Sequence, residues 1–276
     1  MRASLIFLKE IVMNQTIARF AAERLPVEFV HHYLSNPGLT ERNSFHPNVW
    51  KKANRAFRST VTYDRFLTWE DELFPRMLLH IPNPPYCLFY QGDLEVLQEQ
   101  TTALVGSREL NRISRPLVEY LHPLIEETVS ISGGALGIDG LVHELAVRRN
   151  RPTIAVLGSG FSHMYPHVHH QLFDQISRQG LLLSEYTPET PVKKFQFLER
   201  NRIVSGLGDR LVVVQARRKS GTMNTVSHAL EQGKTVFAVP GSPLDPLAEG
   251  PNKLIEEGAI PLTNPDQILN GAMIAR

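Results

Sequence analysis

Cysteine is almost absent: Cys87 stands alone among 276 residues. A single thiol excludes an intramolecular disulfide and any cysteine-rich zinc site, and it fits a reducing, cytoplasmic setting. Lying between Tyr86 and Leu88, it is expected to be a buried structural thiol. Long apolar runs are missing too. The opening Met1-Arg2-Ala3-Ser4-Leu5-Ile6-Phe7-Leu8-Lys9-Glu10 has an apolar part too short, and too interrupted by charge, to cross a bilayer or form a signal core. Met13 offers an alternative start. No later stretch reaches spanning length, so a soluble chain without membrane association is expected. Nor is there an excess of charge of either sign. Lys and Arg number 29 against 28 Asp and Glu, a net +1. Any affinity for a polyanion must therefore come from local clusters of cations. Internal repeats and low-complexity tracts are absent.

What is present divides near residue 75. Phe20 to Leu25 and Val27 to Leu34 give short helical patterns interrupted by Pro26 and Pro37. Val49 to Phe57 reads as another helix, with Lys51, Lys52, Arg55 and Arg58 on its outer side. Residues 1–75 are expected to form a small helical (SAM-like) domain, read as an ordinary solvated bundle rather than a dedicated binding module. Pro75 to Pro85 is a proline-rich connector, extended because proline fixes its own φ and disfavours helix before it. Leu88 to Asp93 then reads as an edge strand ending in a turn.

From Thr101 onward, apolar runs alternate with helical patterns. The expected strands are 102–105, 128–132, 153–157, 181–184, 211–214 and 235–238. Continuous Val/Ile/Leu runs of this kind suit parallel strands buried on both faces. Helices are expected at about 114–127, 139–149, 168–178, 199–205 and 222–232. The alternation implies an α/β fold: a doubly wound, mostly parallel sheet with right-handed crossovers, over residues 76–270. Residues 271–276 read as a tail, with no room for a further domain.

Glycine-bearing loops follow several of these strands, as expected of a sheet that presents backbone N–H groups to an anion at its carboxyl edge. Gly106-Ser107-Arg108 offers close backbone approach, a hydroxyl and a guanidinium fork. Ser132-Gly133-Gly134-Ala135-Leu136-Gly137-Ile138-Asp139 can form an anion nest, with Asp139 placed to cap the next helix. His143 shares a helical face with Asp139; a structural role is preferred to an acid/base pair, since no nucleophile accompanies them. Gly158-Ser159-Gly160 is half of a dinucleotide fingerprint without its third glycine, so no NAD and no other cofactor is expected. His163, His167, His169 and His170 cluster without a carboxylate or cysteine at ligand spacing, so no metal is expected.

Lys193-Lys194-Phe195-Gln196-Phe197-Leu198-Glu199-Arg200-Asn201-Arg202 interleaves cations with aromatics. Single-stranded nucleic acid is held in this way, phosphates by cations and bases by rings. The bland alternative makes both phenylalanines core, and it is expected to hold for one of them. Arg217-Arg218-Lys219 precedes Ser220-Gly221-Thr222 at a helix start, where the dipole favours anions. Arg108, Lys194, Arg200, Arg202, Arg217 and Arg218 are all expected at or near one rim of the sheet.

The order of Val105-Gly106-Ser107-Arg108, Ser132 to Asp139, Ala155 to Gly160, Ser184-Glu185-Tyr186, Arg200-Asn201-Arg202-Ile203, Ser220-Gly221-Thr222 and Val239-Pro240-Gly241-Ser242 resembles the DprA/Smf DNA-processing family over about residues 80–269. The resemblance implies an extended Rossmann-like fold without nucleotide chemistry, preceded by a small helical domain. It implies a dimeric protein that binds single-stranded DNA and loads the RecA recombinase onto it in natural transformation. It also implies that Arg108, Lys194, Phe197, Arg200 and Arg202 contact DNA. From the loops themselves, Gly106, Ser107, Ser132, Gly133, Gly137, Gly158, Ser159 and Gly160 and the later Asn201, Arg217, Ser220 and Gly221 are expected to join them in holding the strand. There are departures. Gly134 and Leu198 stand where the family usually has leucine or methionine and proline, which would reshape the pocket. Gln215 stands for a glutamate, which would make the rim less acidic, and Thr222-Met223 for Ser-Leu. No counterpart of the C-terminal winged-helix domain that some members carry is expected in these residues.

Two other readings stay open at this level. A Rossmann-like nucleotide-binding enzyme, such as a nucleoside-monophosphate phosphoribohydrolase, would need Glu185 or Asp139 as acid or base, and only Ser220-Gly221-Thr222 of its usual glycine loop is present. An adaptor with a mainly protein-binding surface would need neither. Late segments around 235–260 are candidates for dimerisation.

Overall fold

The computed structural model describes residues 2–35 and 45–269. Three helices come first: α1 (Arg2–Ala22), α2 (Val27–Ser35) and α3 (Pro47–Arg58). Phe20 is the hub of their packing, meeting Phe29, Tyr33 and Phe57 edge-on at centroid distances of 5.7, 5.1 and 5.3 Å. Rings of opposite edge and face polarity favour this arrangement. Helix α1 also grips the chain that follows. The Gln15 amide donates to the Tyr63 carbonyl at 2.8 Å and accepts from the Tyr63 N–H at 3.1 Å.

Strands β1 (Phe66–Thr68) and β2 (Cys87–Gly92) pair antiparallel, and β2 pairs antiparallel with β6 (Leu181–Ser184). The expected edge strand is therefore covered: β1, three residues long, lies outside it. So short a run shows no periodicity, and its sheet membership could not be read from sequence. Cys87 is buried as expected.

The remaining strands are β3 (Thr101–Val105), β4 (Val129–Ser132), β5 (Thr153–Leu157), β7 (Arg210–Val213), β8 (Thr235–Ala238) and β9 (Ile260–Pro261). From β6 to β9 every neighbouring pair is parallel. The nine-stranded order is β1-β2-β6-β5-β4-β3-β7-β8-β9, an α/β Rossmann-like sheet. Central strands are buried along their whole length, and alternate residues feed the two faces. Ala103 and Val105 join the cluster that runs into the N-terminal helices, while Leu104 joins a second cluster with Leu121, Ile125 and Val142.

Connecting helices are α4 (Ser114–Tyr120), α5 (His122–Glu127), α6 (Ile138–Arg148), α7 (His170–Gln179), α8 (Lys194–Leu207), α9 (Gly221–Glu231), α10 (Glu249–Glu256) and α11 (Asp266–Leu269). The helix expected over 114–127 is two, broken at Leu121. Pro123 has no N–H to give Glu119 and would crowd its carbonyl. Helix α8 starts five residues earlier than the expected 199, so the basic-aromatic segment is its first turn. The expected tail, 271–276, lies outside the described residues.

Candidate nucleic-acid interface

Chain order reverses between β3 and β7. Successive strands run outward from β3 through β4, β5 and β6, and then from β7 through β8 and β9. At such a switch point the connecting loops diverge and leave a crevice at the carboxyl ends of the strands. The loops after β3, β4 and β7 are tied together at its floor: the Ser107 N–H donates to the Gln215 carbonyl at 2.7 Å, and the Ile138 N–H to the Ser107 carbonyl at 3.0 Å.

Above them opens a cleft of about 740 Å³. Gly106, Ser107 and Arg108 line it from the β3 loop and Gly133 from the β4 loop. Lys194, Phe197, Arg200 and Asn201 face it from α8, and Arg217, Ser220 and Gly221 from the segment leading into α9. The Arg108 guanidinium sits 5.8 Å from the Phe197 ring centroid, in cation–π range. Phe197 leans on the backbone of Gly158, where a Cβ would come within 2.9 Å of its ring. That close approach, rather than a phosphate contact, accounts for the glycine. Arg108, Lys194 and Lys219 are exposed and, among the described residues, form no ion pair. Arg217 is exposed but paired with Glu109 at 2.8 Å.

Beneath the cleft the expected anion nest is already filled. The Asp139 carboxylate accepts the Gly133 N–H at 3.2 Å and is also held by the Ala135 and Gly106 amides. Burial pushes the Asp139 carboxyl up, and Arg200 and these hydrogen bonds oppose the shift. Asp139 therefore turns back into the nest. The residue capping α6 is Gly137, whose carbonyl accepts from Leu141 at 3.0 Å. Arg200, only 3% exposed, spends one guanidinium nitrogen on the carbonyls of Gly133 and Val156. Burial lowers its pKa to about 10, so it stays charged at neutral pH. It forms the floor of the cleft and does not project as a clamp.

Other expected contacts are used elsewhere. The Ser132 hydroxyl donates to the Leu104 carbonyl at 2.7 Å, and that of Ser159 to the His163 carbonyl at 2.9 Å. The Gly160 N–H donates to the Thr190 carbonyl at 2.9 Å. Arg202 leaves the shared rim altogether. It points to the opposite side of α8, where it binds Glu185 at 2.5 Å and the Asn83 carbonyl at 2.9 Å beside a second cavity. Helical geometry explains this, because residues 200 and 202 lie some 200° apart around the axis. Arg218 is exposed but not among the residues lining the cleft. Neither phenylalanine of the basic segment is core: Phe195 is 45% exposed and Phe197 half-buried.

His143 is fully buried, its Nδ1 within 2.9 Å of the Thr153 hydroxyl, and burial drives its pKa down to about 3. It shares no proton with Asp139. His167 and His170 approach to 3.3 Å, but among the described residues no three His, Cys, Asp or Glu side chains are grouped to hold a metal. Gln215, expected to soften the rim, is buried. Its carbonyl oxygen accepts from the Ser114 hydroxyl at 2.5 Å. Sequence reasoning missed Tyr165, which lines the cleft with its ring 5.9 Å from Phe197. An aromatic beside a proline in a histidine-rich polar loop was the available signal.

Residues 65–273 match the model of the DNA recombination-mediator protein A family. The chain belongs to that family. It is 43% identical over 189 residues to the DNA processing protein DprA of Bacillus subtilis, covering 67% of this chain and 64% of that one. Against its Streptococcus pneumoniae counterpart it is 40% identical over 200 residues, covering 72% and 71%. The chain thus spans about two thirds of these curated relatives. The X-ray structure of the S. pneumoniae protein superposes with a TM-score of 0.80 at 32% identity, covering 95% of this chain and 96% of that one. DNA processing protein A from Helicobacter pylori, described for its single-stranded DNA binding mode, gives 0.68 at 29% identity, covering 76% and 97%. No described helix is long and apolar enough to cross a membrane.

Proposed function

We propose that this chain binds single-stranded DNA without strong sequence preference and, as a cytoplasmic homodimer, helps load the RecA recombinase onto incoming strands in natural transformation. One observation carries the DNA-binding part: a switch-point cleft in which Phe197 lies beside Arg108, with Lys194 on the same helix. An unpaired base offers a bare ring face for Phe197 and Tyr165, which a duplex hides within its own stack. Its flanking phosphates suit Arg108, Lys194 and Lys219, whose charges are uncommitted to carboxylates among the described residues. The mechanism is binding, with no bond made or broken. The family description supports a mediator role, and the H. pylori relative's single-strand binding supports the ligand.

The carboxylates a nucleotide hydrolase would need are committed: Glu185 to Arg202, and Asp139 to the nest amides above Arg200. A general base has to be free to take a proton from substrate or water, which favours the binding role. The test is the double variant Arg108→Ala with Lys194→Ala. Two lost cations and a disturbed stacking ring should weaken oligo-dT binding roughly 30- to 100-fold near 0.1 M salt, with an unchanged melting curve. Wild-type affinity in the double variant would overturn the assignment.

A further inference from the structure

Helix α8 is a ridge with a cavity on each side. Lys194, Phe197 and Asn201 face the cleft already described, whereas Glu199 and Arg202 face a cavity of about 430 Å³ shared with Arg24 and Tyr186; Leu198 borders both. Phe195, two residues before Phe197, points away from the first cleft and is 45% exposed. Its partner is a cation from the turn between α1 and α2. The Arg24 guanidinium lies 5.3 Å from the Phe195 centroid and 5.4 Å from that of Tyr186, and pairs with Glu199 at 2.5 Å. Lys52 of α3 reaches the Arg24 carbonyl at 3.4 Å. Lys193 and Lys194, both exposed, stand at the start of α8 between the two aromatic faces.

The arrangement repeats the chemistry of the first cleft. Phe197 with Arg108 on one flank of α8 is matched by Phe195 with Arg24 on the other, and two lysines join them. Glu185 and Glu199 are neutralised by Arg202 and Arg24, so Lys52, Lys193 and Lys194 leave the surface net positive. We propose that the strand held in the first cleft continues over the start of α8, stacks a second base on Phe195 beside Arg24, and runs onto the N-terminal helices at Lys52. This rests on the single-stranded DNA reading and extends it. The N-terminal helices become part of the DNA track, and the footprint is longer than the cleft alone.

The experiment is a ladder of oligo-dT lengths, from about 4 to 20 nucleotides, bracketing the span of such sites, titrated against wild type, Phe195→Ala and Lys52→Glu. Both variants should bind the shortest detectable oligomers like wild type. They should bind the 20-mer about tenfold (Phe195→Ala) and severalfold (Lys52→Glu) more weakly, with a shallower salt dependence for Lys52→Glu. The length at which affinity levels off should shorten in both. Wild-type length dependence in both variants, with the wild-type protein binding normally, would overturn the extended track alone. No binding by wild type at any length would overturn the underlying reading and the track with it.

Discussion

At the residue scale, the buried polar groups separate architecture from ligand contact. In sequence Arg200 reads as a binding residue and Asp139 as a helix cap, yet the carboxylate fills the nest and the guanidinium braces the carbonyls of Gly133 and Val156. Sequence showed the nest but not its occupant, because the occupant lies six residues beyond Gly133 and reaches it only when the loop curls. Gly134 is similar. Its φ of +66° and the Phe173 ring, 2.8 Å from where a Cβ would sit, demand glycine here. His143 gives a pH prediction. Its ordinary pKa of 6.5 falls to about 3 in the folded state, so the unfolded chain binds the proton more readily. This contribution to stability is fully present above pH 6.5 and is lost as pH falls from 6.5 towards 3, by roughly 5 kcal/mol. Chemical-denaturant titrations between pH 7 and 4 should show the decline, and His143→Gln should flatten it; equal pH slopes in the two proteins would contradict this account of the buried imidazole.

At the scale of elements, the parallel strands were the most legible. Runs such as Ile154 to Leu157 are apolar throughout because both faces are covered, and their bounds in the structure match the expected ones within a residue. The short β1 and the start of α8 were not legible: the first is too brief for any pattern, and the second carries charges and exposed rings where an amphipathic stripe is normally sought. Elements at the switch point are tied by Gln215, which receives the Ser114 hydroxyl of α4 at 2.5 Å while its amide reaches Asn111 and Asp245, each at 3.4 Å. A carboxylate there would face Asp245 with no N–H to offer. Gln215→Glu should lower stability by about 1–3 kcal/mol at neutral pH, with partial recovery near pH 4 as the new carboxyl takes a proton. Thermal melts at the two pH values check this, and a pH-independent melt equal to wild type would show that the amide donates nothing of consequence.

Across the whole molecule, function follows from where the chain reverses its winding. The reversal between β3 and β7 opens the cleft, and the loops from β3, β4 and β5, with α8 and the approach to α9, bring their residues to it from five separate parts of the sequence. Rim location was therefore legible for Arg108, Lys194 and Arg217 from the alternation of strands with the loops and helices that follow them. It failed for Arg202, whose direction is set by its angle around α8. The central claim is that this cleft takes unpaired bases and their phosphates together. Fluorescence anisotropy with labelled oligo-dT and a labelled duplex, each at two salt concentrations, tests it most directly. The account predicts tight binding of the single strand over the duplex, with affinity falling steeply as salt rises. Equal affinity for duplex and single strand, or no binding of the single strand at low salt, would contradict it.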